Sequence, residues 1–240
     1  MAESFVVAAP PVASVPVAAT KDRFPVRRIY CVGRNYAEHV REMGGDEREP
    51  PFFFQKPSDC VRGPDAVLPY PTRTADFQHE VELVLAIGRG GRAIAAADAA
   101  RHVWGIAVGI DMTRRDLQLA AKKAGRPWEA GKSFDASAPC SAIVPLEGRP
   151  LPERGRIELF VNGALRQSGD IAQMIWRSDE VVSQLSLDYA LEPGDLVMTG
   201  TPAGVGTVRP GDELLARIEG VGELRVRIGP VESGVAIGRD

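Results

Sequence analysis

An α+β, mainly β domain with a rolled sheet is what this sequence predicts, and three observations carry the prediction. From residue 156 onward most regular segments read as strands, with few helices among them. Asn162-Gly163, set between two such segments, marks a tight hairpin. Residues 80–87 and 104–110 add two strongly apolar runs of strand length in the first half. Strands that cluster rather than alternate strictly with helices suit one β-rich layered unit.

In chain order, residues 1–20 are rich in Ala, Val and Pro, lack a basic stretch and are interrupted by Pro10, Pro11 and Pro16. That composition argues against a signal peptide and for an extended arm, here residues 1–25, holding at most an edge strand. Residues 26–240 are expected to form the folded domain. Residues 27–32 (RRIYCV) are β-branched and aromatic enough for a strand, which Gly33 ends. Residues 36–43 have helical composition and stop at Gly44-Gly45. Pro50 and Pro51 lead into Phe52, Phe53 and Phe54, a short buried strand. Residues 80–87 (EVELVLAI) alternate and then turn wholly apolar, as a strand leaving a polar rim for the core would. A helix follows over 95–103, a strand over 104–110 with Asp111 at its end, and a helix over 113–124 with Thr113 near its N-cap and Gly125 and Pro127 beyond. Residues 157–161 and 165–167 form the hairpin, and 178–186 a helix with Val181, Val182 and Leu185 on one face. Residues 196–199, 212–218 and 224–228 are the late strands.

The 240 residues suit one large domain or two small ones, and no linker divides them. A hydrophobic share of 44% and a charged share of 25% are an ordinary soluble balance. A net charge of −3 and a pI near 5.7 argue against nucleic acid or an anionic membrane as the main partner. No apolar run approaches the roughly 20 residues that cross a bilayer. Cys31, Cys60 and Cys140 are too few and too scattered for a disulfide framework or a zinc cluster, so they read as reduced thiols of a cytoplasmic protein.

Glu80 and Glu82 stand two apart in a strand, so both side chains point to one face. Two adjacent carboxylates repel unless a cation neutralises them, and Asp111 closes another buried strand nearby. Three carboxylates without a cysteine describe a hard oxygen site for Mg²⁺ or Mn²⁺; a solvated strand face is the plain alternative. His39 and Glu42, three apart on a helical turn, can hydrogen-bond, which orients an imidazole as a general base. The same pair could also be mere surface. His79 faces away from Glu80, and His102 is structural. Lys132 and Lys56 could each hold a carboxylate or an oxyanion, or be solvated. Thr199-Gly200-Thr201-Pro202, with Gly204 and Gly206, offers backbone N–H groups and a hydroxyl suited to a carboxylate, or is a plain turn.

Taken together and in order, these segments resemble the fumarylacetoacetate hydrolase family. The resemblance runs through Tyr30-Cys31-Val32-Gly33-Arg34-Asn35-Tyr36, His39, Glu42, His79-Glu80-Val81-Glu82-Leu83 and Asp111-Met112-Thr113-Arg114-Arg115-Asp116. It continues through Lys132-Ser133-Phe134 and Thr199-Gly200-Thr201-Pro202-Ala203-Gly204-Val205-Gly206, and covers residues 26–229. It implies a mixed, curled β-roll of that family's C-terminal-domain type, in a homodimer. It implies Glu80, Glu82 and Asp111 as ligands of Mg²⁺ or Mn²⁺, and His39 with Glu42 as a water-activating dyad on a short lid helix. Lys132 and Gln118 would hold the oxyanion, Arg115 would stand nearby, and Gly200 and Thr201 would bind a substrate carboxylate, with Lys56 also at the substrate.

Within the family, residues 24–29, 52–58, 114–118 and 125–128 are most similar to a bacterial subgroup of gentisate breakdown that acts on fumarylpyruvate. The implied reaction is hydrolysis of a carbon–carbon bond in this small dioxo acid. Acylpyruvate hydrolysis, oxaloacetate decarboxylation and isomerisation are neighbouring chemistries, and a non-enzymatic metal-binding relative is the different class.

Overall fold

The computed structural model describes residues 5–36 and 49–231. Two mixed sheets carry the fold. The first has six strands: β1 (Ile29–Gly33), β2 (Phe52–Lys56), β4 (Val81–Ile87), β5 (Val103–Ile110), β6 (Val144–Pro145) and β9 (Leu196–Met198), in spatial order β6-β5-β4-β9-β1-β2. The second has five: β3 (Ala66–Tyr70), β7 (Arg156–Val161), β8 (Ala164–Asp170), β10 (Glu213–Ile218) and β11 (Gly222–Val231), in spatial order β8-β7-β10-β11-β3. Pairing is antiparallel except where β9 meets β1 and β11 meets β3. The mainly β class predicted above is the class observed.

Side-chain alternation explains the burial. Leu83, Leu85 and Ile87 of β4, with Ile106, Val108 and Ile110 of β5, enter the large core. They share it with Ile157, Leu159, Leu214, Ala216, Leu224 and Val226 of the second sheet. Val84, Ala86 and Ala107 point the other way, into a smaller core closed by Val15, Val17, Phe24, Val26, Cys60, Val61 and Ile143. The first sheet is therefore covered on both faces, which is why residues 83–87 read as continuously apolar. Part of the N-terminal arm supplies this cover: Ser14–Pro16 pairs antiparallel with Arg23–Pro25, while residues 5–12 lie exposed.

Asn162 and Gly163 adopt positive φ of 51° and 77°, the turn expected between β7 and β8. Two helix expectations change. The 95–103 stretch forms only a 3₁₀ helix, Ala96–Arg101, because Val103 already pairs with Ile87 in the sheet. Thr113 and Arg114 pair with Gln78 and Phe77 as a short strand, so helix α1 (Arg115–Lys123) starts two residues later than its cap residue predicted. A single turn, α2 (Glu129–Lys132), follows, and α3 (Ser178–Asp188) buries Val181, Val182 and Leu185 as its periodicity required. Of the helix expected over 36–43, Tyr36 instead bridges Met174 antiparallel, and residues 37–43 lie outside the described residues. Cys31, Cys60 and Cys140 are free and buried, and burial pushes the Cys140 thiol up to about 12. Among the described residues no helix is long and apolar enough to cross a membrane.

Candidate active site

The site is built where two central strands of the first sheet end. Val81 pairs with Ile110 across β4 and β5, and the Asp111 N–H donates to the Glu80 carbonyl at 2.8 Å. Glu82 shares its face with Val84, and Asp111 shares its face with Ala107, so both carboxylates sit at one end of the smaller core. Glu80 joins them from the break between Phe77–His79 and β4. The three offer oxygens within 4.8 Å of one another, and all three are buried.

Cations gather around this cluster unevenly. Lys132, delivered by α2, places Nζ 2.7 Å from Glu80 Oε2, 2.7 Å from Asp111 Oδ2 and 2.7 Å from Thr113 Oγ1. Burial lowers its basicity, but Asp111 and Glu80 more than offset that, and its pKa is raised. Arg115 Nη2 binds Glu80 Oε1, and its other donors reach Gln78 Oε1 at 2.8 Å and Gln118 Oε1. Arg115 and Gln118 can meet because they stand one helical turn apart on α1. Lys56 Nζ lies 2.8 Å from Asp111 Oδ1, in an ion pair whose angle leaves that oxygen without an aligned donor.

Glu82 is the exception. Among the described residues it has no ion-pair partner, and its Oε2 accepts only the Gly200 N–H, at 2.6 Å. Burial first, and then Asp111 and Glu80, push its carboxyl well above the ordinary carboxylate range. A buried carboxylate without a counter-ion is costly unless a cation joins it. An all-oxygen donor set with this unmatched charge fits a hard divalent ion such as Mg²⁺ or Mn²⁺.

The expected carboxylate loop does lie at the site, but its N–H groups do not all face outward. Gly200 holds Glu82, while its φ of +97° and the Asn35 side chain leave no room for a Cβ, which would lie 2.6 Å from Asn35 Cβ. Gly200→Ala is therefore expected to cost on the order of 3 kcal/mol, seen as a lowered urea midpoint. An unchanged midpoint would show that the loop adapts freely.

Thr201 Oγ1 accepts from Gln167 Nε2 at 2.8 Å, which leaves its hydroxyl proton for a ligand. Gln167 in turn receives His79 Nδ1 at 2.9 Å and the Val81 N–H at 3.0 Å. Burial lowers the His79 pKa, and His79 serves this buried network rather than the acid cluster. His102 Nδ1 meets the Arg89 carbonyl at 3.0 Å. Gln167 escaped the sequence reading; its signal was a polar residue at an inward register of the hairpin.

The cavity above the cluster is lined by Glu80, Glu82, Asp111, Arg115, Gln118 and Lys132, with Arg34, Phe54, Trp128, Gly200 and Thr201 among its other walls. Lys56 is not at this surface; it is enclosed behind Asp111, also donating to the Met112 carbonyl at 3.2 Å. His39 and Glu42 lie outside the described residues.

Residues 28–229 match the family model described as fumarylacetoacetate hydrolase, C-terminal. The chain belongs to the fumarylacetoacetate hydrolase family. Among family members, the fumarylpyruvate hydrolase of Ralstonia sp is 44% identical over 184 residues, 77% of this chain and 95% of that protein. The human mitochondrial oxaloacetate tautomerase FAHD1 is 42% identical over 202 residues, 84% of this chain and 91% of that protein. The crystal structure of fumarylpyruvate hydrolase from Pseudomonas aeruginosa, in complex with Mn²⁺ and pyruvate, is 50% identical with a TM-score of 0.92, covering 95% of this chain and 100% of that one. The mainly β fold described above is thus the family's C-terminal-domain fold.

Proposed function

We propose that this chain hydrolyses the carbon–carbon bond of a 2,4-dioxo acid, converting fumarylpyruvate to fumarate and pyruvate. The observation that carries the reading is the buried triad of Glu80, Glu82 and Asp111, with Glu82 uncompensated, facing Lys132 and Gln118 across one cavity. Similarity to two fumarylpyruvate hydrolases over most of the chain supports the substrate, and the Mn²⁺ of one of them supports the ion. A divalent cation held by Glu80, Glu82 and Asp111 would supply Lewis acidity toward the oxygen-rich substrate.

The chain's own residues do the rest. His39, oriented by Glu42, takes a proton from the water that attacks the C4 carbonyl. Gln118 accepts from Arg115, and its amide NH₂, without a protein partner among the described residues, donates to the resulting oxyanion. Lys132 has all three donors engaged, and the one on the neutral Thr113 hydroxyl is the least firmly held, so it turns to the same oxyanion. The Thr201 hydroxyl donates to a substrate carboxylate, Arg115 fixes Glu80 and Gln118, and Lys56 steadies Asp111. Collapse of the adduct then breaks C3–C4, releasing fumarate and the pyruvate enolate, whose C3 takes back the proton held by His39. The resemblance further supports a homodimer acting in cytoplasmic gentisate breakdown, which light scattering and substrate profiling address.

A second reading is favoured by the oxaloacetate tautomerase relative: proton transfer on oxaloacetate, which needs no attacking water. The test is loss of the enolised dioxo-acid absorbance, with fumarylpyruvate, acetylpyruvate and oxaloacetate compared under Mg²⁺ or Mn²⁺. Fumarylpyruvate is expected to turn over at least about tenfold better than acetylpyruvate, with EDTA abolishing turnover. His39→Ala should lower kcat by roughly 100-fold or more. Reaction of oxaloacetate alone, unaffected by His39→Ala, would replace hydrolysis with the second reading.

A further inference from the structure

The proposed substrate carries two carboxylates, and the acid cluster with Thr201 serves only one end of it. Three cationic side chains line the cavity among the described residues: Arg34, Arg115 and Lys132. Arg115 and Lys132 are ion-paired with Glu80 and Asp111. Among the described residues Arg34 has no ion pair, and its Nε is enclosed without a hydrogen-bond partner. A guanidinium N–H shut away from water with nothing to bond is destabilising, and such a group is retained where a ligand completes it.

Its backbone carries a second mark. Arg34 adopts φ of +58°, the left-handed region that a long side chain normally avoids. The neighbouring residue holds it there. Asn35 donates to the Thr199 and Trp176 carbonyls at 2.7 and 2.8 Å and accepts the Trp176 N–H at 2.8 Å. Strain that the surroundings maintain this firmly is typical of a side chain that must be presented to a ligand.

We infer that Arg34 binds the distal carboxylate of the substrate and so sets the preference for a dioxo dicarboxylate over a monocarboxylate. The inference rests on the hydrolase reading above. A guanidinium suits this task because its forked donors match both oxygens of a carboxylate. Arg126 is the competing candidate: it is exposed on an adjoining cleft of about 720 Å³ that shares Phe54 and Trp128 with the site.

The test compares kcat/KM for fumarylpyruvate and for acetylpyruvate, which has a methyl group in place of the distal chain, in the wild type, Arg34→Met, Arg34→Lys, Arg34→Gly and Arg126→Ala. Arg34→Met should lose about 100-fold on fumarylpyruvate and far less on acetylpyruvate, so the preference collapses. Arg34→Lys should recover part of it. Arg34→Gly relieves the left-handed backbone, so it should keep the wild-type melting temperature while showing the same collapse, which separates lost recognition from misfolding. Equal losses on both substrates, or a preference that follows Arg126→Ala instead, would overturn the role of Arg34. A wild type inert toward both dioxo acids would overturn the hydrolase reading itself, and this role with it.

Discussion

Glu82→Gln is expected to weaken divalent-cation binding by 100-fold or more, while leaving the cation-free protein as stable as the wild type or more so. The two effects have opposite signs because they come from one charge. In the absence of an ion, the Glu82 carboxyl group is buried beside Asp111 and Glu80, with the Gly200 N–H its single partner among the described residues. Glutamine keeps the shape and removes the repulsion, and an uncompensated buried charge costs more than a neutral amide. With an ion, Glu82 is a proposed ligand. Groups that merely support a metal's ligands are already worth about 10–100-fold, so loss of a ligand should cost at least that. Calorimetric titration with Mn²⁺ and melting curves with and without it read both effects. The wild type should gain Tm as Mn²⁺ rises, since a ligand that binds only the folded state stabilises it. The variant should start level or higher and gain almost nothing. An undiminished Mn²⁺ affinity would remove Glu82 from the ligand set.

The second large effect is expected at Lys132. Lys132→Met keeps most of the volume but leaves Glu80 Oε2 and Asp111 Oδ2 without the ammonium that stands 2.7 Å from each. Removing one member of a buried ion pair costs about 3–5 kcal/mol, because the remaining charge stays buried. Arg115 and Lys56 still face the same two carboxylates, so the lower end of that range is expected. Urea denaturation in EDTA measures this loss. Mn²⁺ should recover much of the stability, since positive charge returns to the cluster. It should not recover kcat, because the proposed oxyanion donor is gone. Full recovery of both would make Lys132 a counter-charge and nothing more.

Much of the candidate site is legible in the sequence. Glu80 and Glu82 two apart on a strand, with Asp111 closing a second apolar run, already described a converging oxygen cluster, and the structure brings the three together. The partners of that cluster were less legible. Lys56 read as a substrate contact, and it lies enclosed behind Asp111, because Ile29 pairs with Lys56 and Cys31 with Phe54 across β1 and β2. Only that register places the lysine beneath the site. Gln167 passed as an ordinary hairpin residue, yet it joins His79 to Thr201 across segments 88 and 34 residues apart in the chain. The helix over 113–124 began late because a ladder to Gln78 and Phe77 claimed Thr113 and Arg114, a pairing that local propensity cannot anticipate.

By itself, the sequence determined the local alphabet of this protein: apolar runs of strand length, the Asn162-Gly163 turn, the helix face of Val181, Val182 and Leu185, and the three carboxylates at strand ends. These follow from period and turn chemistry, which act over a few residues. The tertiary structure alone decided how charge is distributed among those groups. Among the described residues, Glu80 and Asp111 received Lys56, Arg115 and Lys132 and Glu82 no cation, while the Nε of Arg34 was left enclosed without a hydrogen-bond partner. The physical reason is reach: ion pairing falls off within a few ångströms, so it depends on which distant segments the two sheets bring to one cavity.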